Sequence, residues 1–232
     1  MPDKPPENLS APGFFGKLRS HGDFVSRRLP PAMREPFDGW LQAGLLRSRA
    51  ELGAAWTPTW GTSPLWRFML APGLCGPQAW CGVMMPSADR VGRCFPLVLA
   101  AGMDGVPPLA DCLALHAAWF ARLEDLALSS LDDGFSMAAF DAALQALEGA
   151  PVPARGVATA AMAAPAGPRV AALLEGVAPP FANAGMDGDS AWWTDGSAQV
   201  APSLAVCPGL PLAAGFAALL DGRWQAHGWQ LA

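Results

Sequence analysis

Three polar residues near the N-terminus, Ser20, His21 and Asp23, have the side-chain types of a hydrolytic triad. In a triad the serine attacks the substrate, the histidine accepts its proton, and the carboxylate orients the imidazole. Side chains this close together on one turn cannot easily align for that relay. No G-x-S-x-G elbow occurs elsewhere in the chain. We therefore interpret residues 20–23 as a turn held by side-chain to backbone hydrogen bonds, and we predict no catalytic residue.

A second charged group, Asp89, Arg90 and Arg93, lies in the connector between two short apolar runs at residues 79–85 and 94–101. Such runs, bounded by turn residues, are typical of strands buried on both faces. The connector is then a surface loop, where functional residues are common. Its arginines could bind an anion or a partner's carboxylate. An ion pair between Asp89 and an arginine within the loop is the structural alternative, and the two are compatible.

We expect the turn at residues 20–23 and the loop at residues 89–93 to lie close together and form one polar patch. Both are polar segments beside predicted buried strands, and neither is needed for a core. An ion pair from Asp23 to Arg90 or Arg93 would be the structural form of this arrangement. An exposed patch would be the leading candidate for partner docking.

Trp192 and Asp195 form a further candidate, within the sequence WWTDGS. They can be a core residue and a turn residue, since Asp-Gly is a strong turn signal. Alternatively, Trp192 or Trp193 is exposed and acts as an interface anchor, a role that Trp often has.

The distribution of histidine and cysteine predicts neither a metal site nor a cofactor site. The three histidines fall in different predicted elements without HxH or HExxH spacing, and the five cysteines contain no CxxC pair. His116 lies on the apolar face of a predicted helix and is expected to be a core histidine. Glycine-rich phosphate-binding motifs are absent as well.

Apolar spacing and turn residues predict interleaved strands and helices. A helix opening at Pro30-Pro31 would bury one face, and a second, long helix would begin at Pro107-Pro108. A third helix would begin with Ser136 as its N-cap. The remaining predictions are strands at 14–18, 65–71, 79–85, 94–101, 190–194 and 204–207, a strand or helical turn at 170–174, a loop at 56–64 and a short helix at 212–220.

Length and composition favour one α/β domain. The chain has 232 residues, of which 52% are hydrophobic and 15% charged, enough for a packed core. We expect a flexible lead-in at residues 1–12 and a single domain at 13–232 with a mixed, partly antiparallel sheet. Residues 150–185 are expected to be a variable, loop-rich segment.

Charge and hydropathy argue against several partners. The net charge of −5 disfavours general nucleic-acid binding, which needs a basic face. No apolar run approaches the roughly 20 residues of a membrane span. The proline-rich N-terminus lacks the apolar core of a signal peptide, so we expect a cytoplasmic protein.

Four segments together form a recognisable pattern: GFFGKLRSHGDFVSRRLP at 13–30, TSPLWRFMLAPGLCGPQAWCGVMMPSADRVGRCFPLVLA at 62–100, WWTDGS at 192–197 and LPLAAGFAALLDG at 210–222. They resemble the TagF family, also called ImpM, whose members are accessory proteins of bacterial type VI secretion systems. The resemblance implies a three-layer α/β/α sandwich. It also implies a cytoplasmic protein that represses secretion after translation through the forkhead-associated scaffold protein of the system, in parallel with threonine phosphorylation.

The resemblance supplies no catalytic residues, so the roles of the matching positions must be argued physically. Those positions are Gly13, Lys17, Ser20, His21, Asp23, Pro86, Ser87, Asp89, Arg90, Gly92, Arg93, Trp193 and Asp195. The alternative function is a small hydrolase or anionic-ligand-binding domain that uses the triad-like residues together with Arg90 and Arg93. A pocket lined by these residues would favour that alternative, whereas a flat patch with an apolar rim would favour a binding protein. The oligomeric state stays open.

Overall fold

A computed structural model of the chain describes residues 11–147, 150, 167–173, 186 and 188–232. Most of the predicted lead-in and most of the predicted loop-rich segment therefore lie outside the described residues. Of the lead-in, Ala11 and Pro12 are described, and both are buried. Of the loop-rich segment, residues 169–172 form a strand, one of the two forms expected there.

A nine-stranded sheet runs through the described part of the chain. Its strands, in chain order, are β1 (Gly13–Gly16), β2 (Val25–Arg27), β3 (Trp66–Leu70), β4 (Ala79–Met85), β5 (Leu97–Met103), β6 (Arg169–Ala172), β7 (Asp189–Thr194), β8 (Ser203–Pro208) and β9 (Gln230–Leu231). Their spatial order is β2-β1-β5-β4-β3-β7-β8-β6-β9. Only the β6–β9 pair among these neighbours is parallel, so the sheet is mixed, as predicted.

Helices cover both faces of this sheet. They are α1 (Pro31–Leu52), α2 (Trp56–Thr62), α3 (Leu109–Ala114), α4 (Ala117–Ser129), α5 (Met137–Gln145) and α6 (Ala218–Asp221). One apolar cluster joins the sheet to α1, α2 and α6, and the other joins it to α3, α4 and α5. The predicted three-layer α/β/α sandwich is confirmed. Among the described residues, no helix is both long and apolar enough to span a bilayer.

The two-sided core explains why the central strands read as continuous apolar runs. Successive strand residues point to opposite faces, so Trp192 enters the cluster with α1 while Trp193 enters the cluster with α4. The Trp192 ring lies 5.0 Å from the Trp40 ring and 5.3 Å from the Phe68 ring. Aromatic pairs of this kind add about 0.5–1.5 kcal/mol each beyond their burial.

The first helix follows its predicted pattern. Pro30 is extended and Pro31 occupies the first turn, where its missing N–H leaves no intrahelical bond unmade. Phe37, Trp40 and Leu41 are buried against the sheet, whereas the charged residues of the helix are exposed or half-buried.

The segment predicted as a loop at residues 56–64 is mostly helical, and that prediction was wrong. A short 3₁₀ turn at Gly53–Ala55 leads directly into α2. Trp56 and Trp60 are four residues apart, and their rings stack at 5.3 Å. The Nε1 of Trp56 donates to Ser48 and that of Trp60 to the Ser87 carbonyl. These tertiary anchors stabilise a helix that the local Thr and Pro residues disfavour.

The long helix predicted from Pro107-Pro108 is instead two helices, α3 and α4. The N–H groups of Leu115 and His116 both donate to the Asp111 carbonyl, which ends α3. His116 then becomes the N-cap of α4 and is half-buried, so its prediction as a core histidine was wrong. Ser136 is the N-cap of α5, as predicted, and its Oγ accepts from the Ala139 N–H at 3.4 Å.

Two glycines of α1 provide an internal test of the packing. A methyl group at Gly39 would meet no atom within 4 Å, whereas one at Gly44 would lie 2.3 Å from the buried Phe216 ring. We predict that Gly39→Ala stabilises the protein by about 0.5–1 kcal/mol, because alanine favours a helix over glycine. We predict that Gly44→Ala destabilises it by about 1–3 kcal/mol, because the ring must shift. Urea unfolding of the two variants measures both effects, and equal changes would contradict the packing described.

Candidate functional site

The topology brings the ends of β1 and β4 to the same edge of the sheet. Both strands flank β5 antiparallel to it, and both Gly16 and Met85 pair with Leu97. The residues that follow each strand, Lys17 after β1 and Pro86 after β4, therefore emerge side by side. Gly16 adopts φ +133°, and a Cβ there would lie 2.0 Å from the Pro96 carbonyl oxygen, so the close approach depends on glycine.

The turn at residues 20–23 contacts the loop at residues 89–93, as predicted. The Arg90 N–H donates to the His21 carbonyl at 2.9 Å, and the Arg93 guanidinium donates to the Gly22 carbonyl at 2.6 Å. We call these two segments together the polar patch. Both contacts are accepted by backbone carbonyls of the turn, and the ion pair from Asp23, the structural form considered for this arrangement, does not occur. In the described structure Asp23 is exposed and forms no ion pair with either arginine.

Asp89 is the centre of the patch, and its side chain is buried. One carboxylate oxygen accepts from the backbone N–H groups of Val91 and Arg93, at 3.1 and 2.9 Å. The other accepts from the Lys17 ammonium at 3.0 Å and from the Arg93 guanidinium at 2.6 Å. The predicted ion pair within the loop is therefore present, with Arg93 as its partner.

Lys17 is a site residue to which the sequence reasoning assigned no chemistry. Its ammonium is almost fully buried, donates also to the Arg93 carbonyl at 3.3 Å, and lies 5.2 Å from the centre of the Phe24 ring. Lys17 and Asp89 are 72 residues apart, and no local pattern in the sequence pairs them. Position 17 matched the family resemblance, which was the one available signal.

The hydrogen-bond donors around Asp89, backbone N–H groups and cationic side chains together, determine its protonation. Burial by itself would raise the pKa of Asp89, but the N–H groups of Arg93 and Val91 and the Lys17 and Arg93 side chains stabilise the carboxylate and hold its pKa well below the usual range. Asp89 is therefore ionised throughout the physiological range, and the loop is cross-linked to β1.

Ser20 and His21 do not form a triad with Asp23. The Ser20 Oγ lies 2.8 Å from His21 Nδ1, which is the contact of a nucleophile with a base. The described part of the chain, however, shows no hydrogen bond from the His21 imidazole to the Asp23 carboxylate, so no carboxylate orients the ring. All three residues lie on the surface of the turn, partly or fully exposed.

Trp192 and Asp195 do not belong to the polar patch. Trp192 is fully buried and Trp193 nearly so, which rules out either as an exposed anchor. Asp195 pairs with Arg67, with N–O distances of 3.0 and 2.6 Å. The hydrogen bond from Arg67 lowers the pKa of Asp195 and outweighs partial burial. Arg67 also lies 2.7 Å from Glu124 of α4, so this group is an ion-pair network that joins β3 to α4.

The cysteines are unpaired thiols, and four of the five are buried. Burial raises the pKa of Cys112 to about 12 and that of Cys207 to about 11, so these thiols are poor nucleophiles. Over the described residues, no three His, Cys, Asp or Glu side chains are placed to hold a metal ion. His227 lies 3.0 Å from Asp221, and together they fasten the C-terminal segment.

Comparisons with known proteins identify the family. Residues 13–147, more than half of the chain, match the TagF N-terminal domain, described as type VI secretion system-associated. The chain belongs to the TagF family. Among solved structures, PA0076 from Pseudomonas aeruginosa PAO1 is 40% identical, with a TM-score of 0.76 over 92% of this chain and 95% of that one. A comparison with curated proteins found no match.

The matched region contains the whole polar patch of this TagF-family protein, together with Lys17 and α2. Strands β6 to β9, which complete the sheet, lie outside that region. The patch therefore belongs to the part of the chain that identifies it as type VI secretion system-associated.

The pKa of Asp89 leads to a pH-dependent prediction. Because the folded-state pKa lies below the unfolded value of about 4, ionised Asp89 stabilises the fold above that pH, and the stabilisation is lost as the pH falls towards the folded-state pKa. We expect Asp89→Asn to lower the melting temperature markedly at neutral pH, because Lys17 loses its buried partner. The difference from wild type should narrow below about pH 4.

Thermal melts across this pH range measure the effect. Asp132→Asn is the matched control, because Asp132 is exposed and forms no ion pair in the described structure. It should melt like wild type at each pH. A gap between Asp89→Asn and wild type that stays constant into acid would contradict the role assigned to the carboxylate.

Proposed function

We propose that this TagF-family protein is a non-catalytic, cytoplasmic regulator that represses type VI secretion after translation. It acts by binding the forkhead-associated scaffold protein of the system, and the polar patch is its docking surface. Family membership supports the link to type VI secretion, and the earlier resemblance supports the partner. The side-chain composition and the rigidity of the polar patch support its assignment as the docking surface.

One observation carries the choice of surface: exposed apolar side chains and the free guanidinium of Arg90 are held on one rigid frame. Phe24 is 57% exposed and Val91 is 69% exposed, and they adjoin the turn and lie within the loop respectively. Arg90 is exposed and has no side-chain partner in the described structure. Aromatic residues and arginine beside an apolar group are typical of the centres of protein interfaces.

The rigidity of the loop matters for affinity. All four N–H groups from Arg90 to Arg93 donate within the patch, three to Asp89 and one to the His21 carbonyl. A loop that is already ordered loses little conformational entropy when a partner binds. The backbone that carries Arg90 and Val91 therefore has a fixed geometry, as a docking surface requires.

The proposed surface is tested by binding of the purified scaffold protein to matched variants. Arg90→Ala and Val91→Ser should each weaken binding at least about tenfold, because hot-spot truncations cost more than 1 kcal/mol. Melting temperatures should stay at the wild-type value, because neither side chain supports the fold. Isothermal titration calorimetry measures the affinity.

Two variants far from the patch serve as controls. Arg169→Ala removes an exposed arginine of β6, near the other end of the sheet, and Leu46→Ser removes an apolar side chain of α1 that is 72% exposed. Both should bind the scaffold as wild type does. If Arg90→Ala and Val91→Ser also bind normally, the surface lies elsewhere. If wild type itself does not bind the scaffold, the proposed function is wrong.

A further inference from the structure

A cleft of about 590 Å³ opens beside the polar patch. Its lining includes residues 86–90 and Arg19, which lies three residues after the end of β1. Leu131, which follows α4, supplies exposed apolar surface, and the edge of the largely buried Trp60 of α2 also lines the cleft. The cleft therefore lies where both helical layers approach the edge of the sheet that carries the patch.

The cleft carries unbalanced positive charge. Arg19 and Arg90 are both exposed, and neither side chain forms a hydrogen bond or ion pair in the described part of the chain. The one carboxylate in the lining, Asp89, is already saturated by Lys17, Arg93 and two backbone N–H groups. Asp23 of the adjacent turn, and Asp132 and Asp133 after Leu131, are outside the lining, and none of them pairs with an arginine in the described structure. In a chain of net charge −5, this is a local site for a negatively charged group.

The backbone of the loop argues for a carboxylate rather than a phosphate. Phosphate sites in proteins commonly use several free backbone N–H groups. Here the N–H groups of residues 90–93 are all engaged, with the His21 carbonyl or with Asp89. The loop therefore offers an anion the Arg90 guanidinium but none of these backbone N–H groups, which suits a carboxylate bound by the planar pair of N–H donors of an arginine.

The apolar part of the cleft is similarly preformed. Trp60 is fixed by its stacking on Trp56 and by its hydrogen bond to the Ser87 carbonyl. Leu131 is 37% exposed and Pro86 is half-buried, so both present apolar surface to a ligand. A purely ionic ligand would leave this surface uncovered.

We propose that this cleft binds an acidic segment of a protein partner, in which an apolar side chain lies next to a carboxylate. The apolar side chain packs against Leu131, Pro86 and the accessible edge of Trp60. The carboxylate accepts hydrogen bonds from Arg19 and Arg90. This inference rests on the proposed function in that it assumes a protein partner, and it specifies the chemistry that the partner presents.

Selection from a library of random peptides displayed on phage tests the specificity without presuming the partner. The immobilised full-length protein should enrich sequences in which Asp or Glu adjoins Leu, Ile, Met or Phe. A synthetic peptide of the enriched sequence should bind the Arg19→Gln/Arg90→Gln variant at least about tenfold more weakly than wild type, because charge-assisted contacts are lost. Its affinity for wild type should fall as salt is raised.

Two further variants separate the parts of the site. Leu131→Ser should weaken the same peptide by a smaller factor, and Arg169→Gln should bind it as wild type does. All variants change exposed side chains, so unchanged melting temperatures verify that each one is folded. A peptide in which every Asp and Glu is replaced by its amide should lose binding to wild type.

The inference is overturned if no sequence is enriched, if the enriched sequences lack acidic residues, or if the double arginine variant binds them like wild type. It is also overturned if a phosphoserine peptide binds and its glutamate counterpart does not. Enrichment as expected, together with no binding of the purified scaffold, would uphold the cleft and refute the proposed function. Binding of the scaffold, together with selected peptides that lack acidic residues, would uphold the proposed function and refute the cleft as an acidic-segment site.

Discussion

The Lys17 ammonium and the Asp89 carboxylate meet below the protein surface at 3.0 Å and join two segments that are distant in the sequence. Removing two charges from water is costly, and their attraction alone rarely repays that cost. Here the carboxylate also accepts from Arg93 and from two backbone N–H groups, so its hydrogen-bonding capacity is filled. The geometry of the turn and of the loop both depend on this contact, because Arg93 also reaches the Gly22 carbonyl.

The sheet makes that contact possible. Strands β1 and β4 lie on either side of β5 and run in the same direction, so the segments that follow them leave the sheet together. Trp60 of α2 reaches the same edge and donates to the Ser87 carbonyl, while Ser87 Oγ donates to the Lys17 carbonyl at 2.8 Å. The loop at residues 89–93 is therefore held both by the helical layer and by the segment that follows β1. Its backbone at Arg90 and Val91 is ordered before any partner binds.

A rigid, basic and partly apolar surface suits binding better than catalysis. The one contact with catalytic character, between Ser20 and His21, lies on an exposed turn without an orienting carboxylate in the described structure. The cleft beside the patch contains arginines and apolar side chains, and its single carboxylate is engaged in structure. These features support the function proposed above, in which the protein acts through contacts with another protein.

Local patterns in the sequence determined most of the fold. Continuous apolar runs mark strands that are covered on both faces, and a 3.6-residue apolar period marks helices such as α1. These patterns are visible in the sequence because the geometry of a single element decides which of its residues face the core. The patterns failed at α2 and at the break between α3 and α4. There, hydrogen bonds from Trp60 to Ser87 and from two N–H groups to the Asp111 carbonyl outweigh local propensity.

For the candidate site, the sequence indicated the loop at residues 89–93, its contact with the turn at residues 20–23, and the possible ion pair within the loop. Only the tertiary structure decided that Lys17 completes the site, that Trp192 is buried, and that Asp195 pairs with Arg67 instead. A charged residue beside buried strands predicts an ion pair, but the sequence does not show which residue is the partner. The strand order selects that partner, since it brings residues more than 70 positions apart into contact.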